Sequence, residues 1–388
     1  MKTRWKWAIG VIASLALALT VLGIWKRDAL ARLSAVNSLF SEETIIANFS
    51  HMDSAFRSRT LPRGTSGQTP LPMGQPTTLP DAAVDWIAAR DVTALVILKA
   101  GKVVFDDYYL GTGPDDLRIN WSVSKSYLSA LLGVLLDEGA VGSIDDPVIR
   151  YAPTLTGTAY DRASIKDVLQ MSSGVTFDED YLAFFSDINR MGRVLALGGS
   201  MDRFAADQMD SFAAPGTTWK YVSIDTHVIG MVIRGATGRD IPDLLTEKII
   251  APMGPQADPY YVTDGYGVAF VLGGLSTTTR DNARFGQMIA NGGRWNGQQI
   301  VPADWIDLST VPSARTAPGA TGYGYQWWVP VGAQTGQFMA RGIYGQYIYI
   351  DRINDVVIAV HAADRAFRDA GVDQQNEAMF RLIAESID

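Results

Sequence analysis

The chain of 388 residues has no cysteine, which removes disulfides, thiolate metal ligands and a cysteine nucleophile together. Only three histidines occur, His51, His227 and His361, and none stands in a paired spacing such as His-Glu-x-x-His, so the pattern of a zinc enzyme is missing. The chain is read as needing no metal and no cofactor. There is no Gly-x-Ser-x-Gly elbow, which argues against the Ser-His-Asp triad of an α/β-hydrolase. Basic residues are sparse. No Lys/Arg cluster lies outside the N-terminus and the net charge is -8, so nucleic acid is not an expected partner. No internal repeat and no low-complexity tract is present. What the chain has is apolar: 47% hydrophobic against 19% charged residues, enough to bury the core of one large or two unequal domains.

The N-terminus carries its own signal. Lys2, Arg4 and Lys6 precede an uncharged run from Trp7 to Trp25, closed by Lys26 and Arg27. As a helix the run spans about 28 Å, near the hydrocarbon thickness of a bilayer, with tryptophans at both ends. Residues 1–28 are therefore expected to form a membrane anchor, and the slight excess of positive charge before the run places the rest outside the cytoplasm, as in a periplasmic enzyme. The rival is a cleaved signal peptide ending near Ala16-Leu17-Ala18, which would leave Leu19 to Trp25 as an apolar tail.

Residues 29–80 read as a connector, helical from Leu30 to Phe56 and then extended, because Pro62, Pro70, Pro72, Pro76 and Pro80 fall among Gly, Ser and Thr. The globular domain is expected over 81–388. Thr93 to Leu98 and Val103 to Tyr109 form a hairpin across Ala100-Gly101. Helical patterns dominate the middle, with a lobe at about 140–260. Strand patterns return over Gln337 to Ile350 and Val356 to His361, and a last helix runs from about Gln374 to Ile387. Strands at both ends with helices between predict one antiparallel sheet built from the two termini and covered by helices.

Ser122-Val123-Ser124-Lys125 opens the apolar stretch Tyr127 to Leu136. Residues three apart on a helix are neighbours, so Lys125 can reach the Ser122 hydroxyl, and a helix N-terminus offers free N–H groups to a developing anion. This is the Ser-x-x-Lys spacing of acyl-transfer hydrolases. The plain alternative is a capped helix start whose Lys faces water. Two further segments bear on the choice. Tyr221-Val222-Ser223 precedes the apolar helix His227 to Ile233, where a phenol can point into a cleft. Ala340-Arg341-Gly342-Ile343-Tyr344-Gly345-Gln346 brings two glycines into a strand pattern, which marks close approach of the backbone by a ligand. Tyr344 either lines the cleft or packs. Trp327 and Trp328 read as core.

On these segments, with Gly273-Gly274-Leu275-Ser276 and Tyr323-Gly324-Tyr325-Gln326-Trp327-Trp328, the chain resembles the serine β-lactamase-like superfamily from about residue 55 to 388. That group takes in class C β-lactamases, D,D-peptidases and related esterases, and the resemblance is closest to the 6-aminohexanoate-dimer hydrolase and esterase branch. It implies an α+β fold, an α/β/α sandwich of the β-lactamase/transpeptidase type, with an antiparallel sheet flanked by helices plus a helical domain. It also implies Ser122 as nucleophile, Lys125 as the amine that accepts its proton and Tyr221 as the phenol that passes a proton to the leaving group. The backbone N–H groups of Ser122 and Ile343 match the oxyanion hole. Ser223, Arg341, Tyr344, Tyr181 and Asp187 are candidates for substrate binding, the last two because that branch handles a substrate amine in this loop region.

There are departures. Penicillin-recognising members keep Lys-Thr-Gly or His-x-Gly where this chain has Ala340-Arg341-Gly342, and no lysine follows Lys248. Ser223 stands where an Asn is usual. The expected function is hydrolysis of a small amide or ester through an acyl-enzyme. Its rivals are a β-lactamase or D,D-carboxypeptidase, disfavoured by the missing lysine, and a silent ligand-binding sensor, which would have no need of Ser122, Lys125 and Tyr221 together.

Overall fold

A computed structural model of the chain describes residues 2–64 and 67–387; within the first helix, the side chains of residues 14–26 and several before them lie outside the described set. The strand Val92–Lys99 shows why the main sheet forms. Its residues are β-branched or aliphatic with almost no polar break, the pattern of a strand buried on both faces. Leu95 and Ile97 pack with Trp86 and Phe380 from the helices Asp81–Ala89 and Val372–Ser386, while Val96 and Leu98 join the main core on the other side. The period of two along a strand splits one sequence run between two layers.

Seven strands make this sheet. Val92–Lys99 lies between Lys102–Tyr108 and Val356–Ala362, followed outward by Gln346–Asp351, Gln337–Gly342, Trp328–Val329 and Gly322–Tyr323, with every pair antiparallel. The two ends of the globular chain thus share one sheet, as the late strand patterns predict. A second sheet orders Arg57–Thr60, Tyr260–Thr263, Leu275–Thr277 and Arg118–Ile119. Its last strand ends two residues before Trp121 and so carries the Ser-x-x-Lys segment. The middle of the chain supplies the helices Ser124–Asp137, Asp187–Leu197 and Ser223–Thr237, while residues between Asp137 and Asp187 form mostly loops and single turns. The fold is α+β, with antiparallel sheets flanked by helices.

Two features of the N-terminal region depart from expectation. The run Trp7 to Trp25 belongs to one helix, Lys2–Asn37, that continues three turns further. The membrane anchor is corrected on this point: among the described residues no helix is long and apolar enough to cross a membrane, and most side chains of the run lie outside those described. The membrane partner and the extracytoplasmic location inferred from the anchor lose their basis with it. The end of this helix docks on the body instead, where Arg32 Nε donates to the Ala196 carbonyl at 2.9 Å. The stretch read as a connector contributes Leu39, Ile45, Phe49, Met52 and Phe56 to the main core and leads into the second sheet.

Candidate active site

The Ser122 segment is held from below by a buried polar network. Asn120 N–H donates to Leu275 O at 2.9 Å, and the Asn120 side-chain oxygen takes Asn282 Nδ2 at 2.7 Å and lies 2.9 Å from His361 Nε2. Trp121 then adopts φ +43°, uncommon for a bulky residue, and a single 3-10 turn over Trp121–Val123 runs into the helix Ser124–Asp137. A constrained turn of this kind fixes where Ser122 points.

One turn on, the Lys125 ammonium group reaches back into the same place. Its Nζ donates to Ser122 Oγ at 3.2 Å and to the Leu272 carbonyl at 2.6 Å, and the side chain is buried. Burial pulls its pKa down to about 7, while the negative charges of Glu179 and Asp225 oppose that shift. An amine with this pKa is partly neutral at physiological pH and can accept a proton. The reading in which Lys125 faces water does not fit this position.

Tyr221 lies over Lys125, whose Nζ is 5.6 Å from the ring centroid, and its ring stacks on Trp328 at 5.3 Å. Burial raises the phenol pKa and Glu179 adds to the rise, opposed by hydrogen bonding with Ser122, the Arg341 charge and Ser223. At neutral pH this phenol keeps its proton. In this pair the amine, not the phenolate, is the base at rest.

The strand Gln337–Gly342, paired on both sides within the main sheet, closes the site. A Cβ on Gly342 would stand 2.7 Å from Asn120 O and 3.1 Å from the Ser122 backbone nitrogen, so only glycine lets the strand come this near. After it, Gln346 Nε2 ties down the turn by donating to the carbonyls of Ile343, Tyr344 and Ala362 at 3.1, 2.9 and 2.9 Å. Gln346 thus gives the Gly-Ile-x-Gly-Gln pattern a physical role. Ile343 is held beside Ser122, and both line the same cleft.

Two cavities meet at Ser122. One, of about 370 Å³, includes Tyr221, Arg341, Trp328 and Glu179; the other, of about 350 Å³, includes Ser223, Trp121, Leu272 and Phe270. Ser122, Tyr181 and Ile343 line both. Arg341 pairs with Asp373 at 2.7 Å and stacks on Trp328 with 4.9 Å to the ring. Trp327 is core, as expected, whereas Trp328 faces the cleft.

Two of the candidate binding residues stand apart from both cavities. Asp187 accepts the Asp178 N–H at 3.0 Å and pairs with Arg190 at 3.0 Å, closing the ends of the loop that carries Glu179 and Tyr181. Tyr344 packs: at φ +58°, buried, it stacks on Phe40 at 4.7 Å. Glu179 is the residue that the sequence reading misses. It accepts hydrogen bonds from the Ser223 N–H, from Tyr181 Oη at 2.8 Å and from Ser223 Oγ at 3.3 Å, and burial raises its pKa. Within Asp178-Glu179-Asp180 it reads as one member of a solvated acidic loop, and no spacing sets it apart.

The beta-lactamase family profile matches residues 82–378. A 6-aminohexanoate-dimer hydrolase from Paenarthrobacter ureafaciens is 30% identical over 279 residues, covering 68% of this chain and 71% of that protein. Among solved structures, a Bacillus anthracis protein assigned as a 6-aminohexanoate-dimer hydrolase superposes with TM-score 0.81 at 22% identity, covering 89% of this chain and 95% of that one. A D-stereospecific amidohydrolase from Streptomyces sp. superposes with TM-score 0.55 at 20% identity, over 78% of this chain and 99% of that one. The chain belongs to the beta-lactamase family. It is an enzyme of the hydrolase class, built on the β-lactamase/transpeptidase-like fold.

Proposed function

We propose that this protein is a serine hydrolase that cleaves a small amide or ester through an acyl-enzyme. The observation that carries the reading is the buried Lys125 amine, 3.2 Å from Ser122 Oγ with its pKa pulled down to about 7. Lys125 takes the hydroxyl proton as Ser122 Oγ attacks the carbonyl carbon. The backbone N–H groups of Ser122 and Ile343 receive the charge that develops on the carbonyl oxygen. When the tetrahedral species collapses, the leaving amine or alcohol takes the Tyr221 proton and Lys125 returns one to Tyr221. Water then attacks the acyl-enzyme by the same relay and frees Ser122. A panel of p-nitrophenyl esters, linear amides and nitrocefin tests the reading; absence of turnover across the whole panel would contradict it.

The pH dependence follows from the base. A protonated Lys125 cannot accept the Ser122 proton, so kcat/KM should rise with pH through about 7 and be lost as pH falls below it. A pH–rate profile that is flat between pH 6 and 8 would remove Lys125 from this role.

The family name favours a second reading, a β-lactamase. The strand lysine or histidine that holds a ligand carboxylate is replaced here by Ala340, and the cation one position on, Arg341, already pairs with Asp373. Losing one charge-assisted hydrogen bond of about 1.5–3 kcal/mol corresponds to roughly 10- to 100-fold. Nitrocefin should be cleaved more slowly than short-chain esters by at least that factor, and Arg341→Ala should slow anionic substrates while sparing neutral esters. Efficient nitrocefin hydrolysis that survives Arg341→Ala would favour the second reading.

A further inference from the structure

The two cavities that meet at Ser122 differ in chemistry, and the difference sorts the two halves of a substrate. Tyr221 lines only the polar cavity, together with Glu179, Arg341 and Asp373. The leaving group must sit where it can take the Tyr221 proton, so it belongs in the polar cavity. That leaves the cavity of about 350 Å³ for the acyl group.

The walls of this second cavity are mostly hydrocarbon, with Asn37, Asn189, Ser223 and Tyr181 as its uncharged polar members beside Ser122. Phe40, Met52 and Phe56 close one side, and they come from the stretch before residue 82, outside the part matched by the family profile. Leu182 and Phe184 line it while also being largely exposed, so its mouth is apolar too. Among the described residues, the one charged side chain in its lining is a cation, Arg193. Its Nη1 is already bonded to the Phe184 carbonyl at 2.7 Å and its guanidinium lies 4.4 Å from the Phe184 ring centroid. Among the described residues no carboxylate is part of its lining: Glu179 lines the polar cavity, and Asp187 lines neither.

We infer that the acyl side of the site takes an uncharged, extended hydrocarbon chain and rejects a chain that ends in an ammonium group. The inference rests on the acyl-enzyme reading of Ser122. It sets this chain apart from a site built for the amine-terminated dimer in its relative's name. A terminal ammonium would be desolvated in a mostly hydrocarbon cavity beside a like charge, with no carboxylate among the described lining residues to pair with.

The test uses the full chain and p-nitrophenyl esters, with the rate of Ser122→Ala subtracted as background. From acetate to hexanoate, kcat/KM should rise about 80- to 250-fold, since four methylenes are added and each, when buried, is worth roughly threefold to fourfold. The hexanoate should exceed the 6-aminohexanoate, a chain of the same carbon count, by at least about tenfold. Gly192→Leu supplies a second arm. A Cβ at Gly192 meets only Val36 at 3.7 Å, Gly192 lines the cavity, and the change favours the helix Asp187–Leu197; an unchanged melting temperature and acetate rate show that the variant keeps its fold. The hexanoate-to-acetate ratio should fall at least about tenfold in it. Acetate preferred over hexanoate, or 6-aminohexanoate cleaved as fast as hexanoate, would overturn the inference while leaving Ser122 as nucleophile. Equal rates in Ser122→Ala and the unaltered protein would instead overturn the reading beneath it.

Discussion

Turnover of p-nitrophenyl esters is expected to fall by about 10⁴- to 10⁶-fold in Ser122→Ala, to the residual level that binding and an oxyanion hole provide without a nucleophile. The loss should come in kcat with KM little changed, because the side chain removed is small and the cavities on either side keep their walls. The fold should survive. Ser122 Oγ accepts one bond from Lys125, whose Nζ keeps its bond to the Leu272 carbonyl, and the turn itself is set by the Asn120 network and the Trp121 backbone. Circular dichroism and thermal melting, measured beside the rates, separate lost chemistry from lost structure.

The next largest effects belong to the proposed proton relay. Lys125→Ala and Tyr221→Phe should each lower kcat by about 10² to 10⁴, the scale of a positioned acid or base. They should differ in their pH profiles. Loss of Lys125 removes the group that titrates near 7, so its residual activity should lose the acid limb at that pH. Tyr221→Phe keeps the limb, since the base remains, but its deficit should grow as the leaving group becomes more basic, from p-nitrophenol to an alkyl alcohol or amine. Lys125→Ala should remain folded for a reason of sign. The folded pKa of Lys125 lies below its ordinary 10.5, so its contribution to stability is lost as pH falls from 10.5 through about 7, and removing it relieves a buried charge. Unchanged rates in Tyr221→Phe for every leaving group would remove the phenol from the mechanism.

The residues proposed to carry the chemistry stand out in the sequence because two signals cross at them. Ser122 and Lys125 mark the start of a helix too apolar to be a surface helix, and Tyr221 opens another. The main sheet was legible for a similar reason: Val92–Lys99 and Val356–Ala362 are short β-branched apolar runs broken only by Thr93, Lys99 and His361, the pattern of strands buried on both faces. The strand pattern over Gln337 to Ile350 resolves into two strands, because Tyr344 and Gly345 both take positive φ and turn the chain back.

What stayed hidden depends on long-range contact. Glu179 joins the site only because its loop is stapled shut by Asp187 and pressed onto Ser223, a contact between residues 44 apart. Asp187 itself suggested a substrate ligand by its place in the loop, but its charge is spent on the Asp178 N–H and Arg190. Phe40 and Phe49 carry no motif, yet they pack on Trp121 and Tyr344 on either side of Ser122. The run Trp7 to Trp25 misled in the other direction, since hydropathy alone cannot tell a spanning helix from one that ends packed against its own domain.

Covalent labelling bears most directly on the nature of this enzyme. The unaltered protein should be treated with a fluorophosphonate probe, digested and mapped by mass spectrometry, with and without a p-nitrophenyl ester competing. The expected result is a single phosphonyl adduct on Ser122, formed faster as pH rises through about 7, suppressed by the ester and absent from Ser122→Ala. An adduct on a different serine, or ester hydrolysis that continues undiminished while Ser122 is fully blocked, would contradict a Ser122 acyl-enzyme.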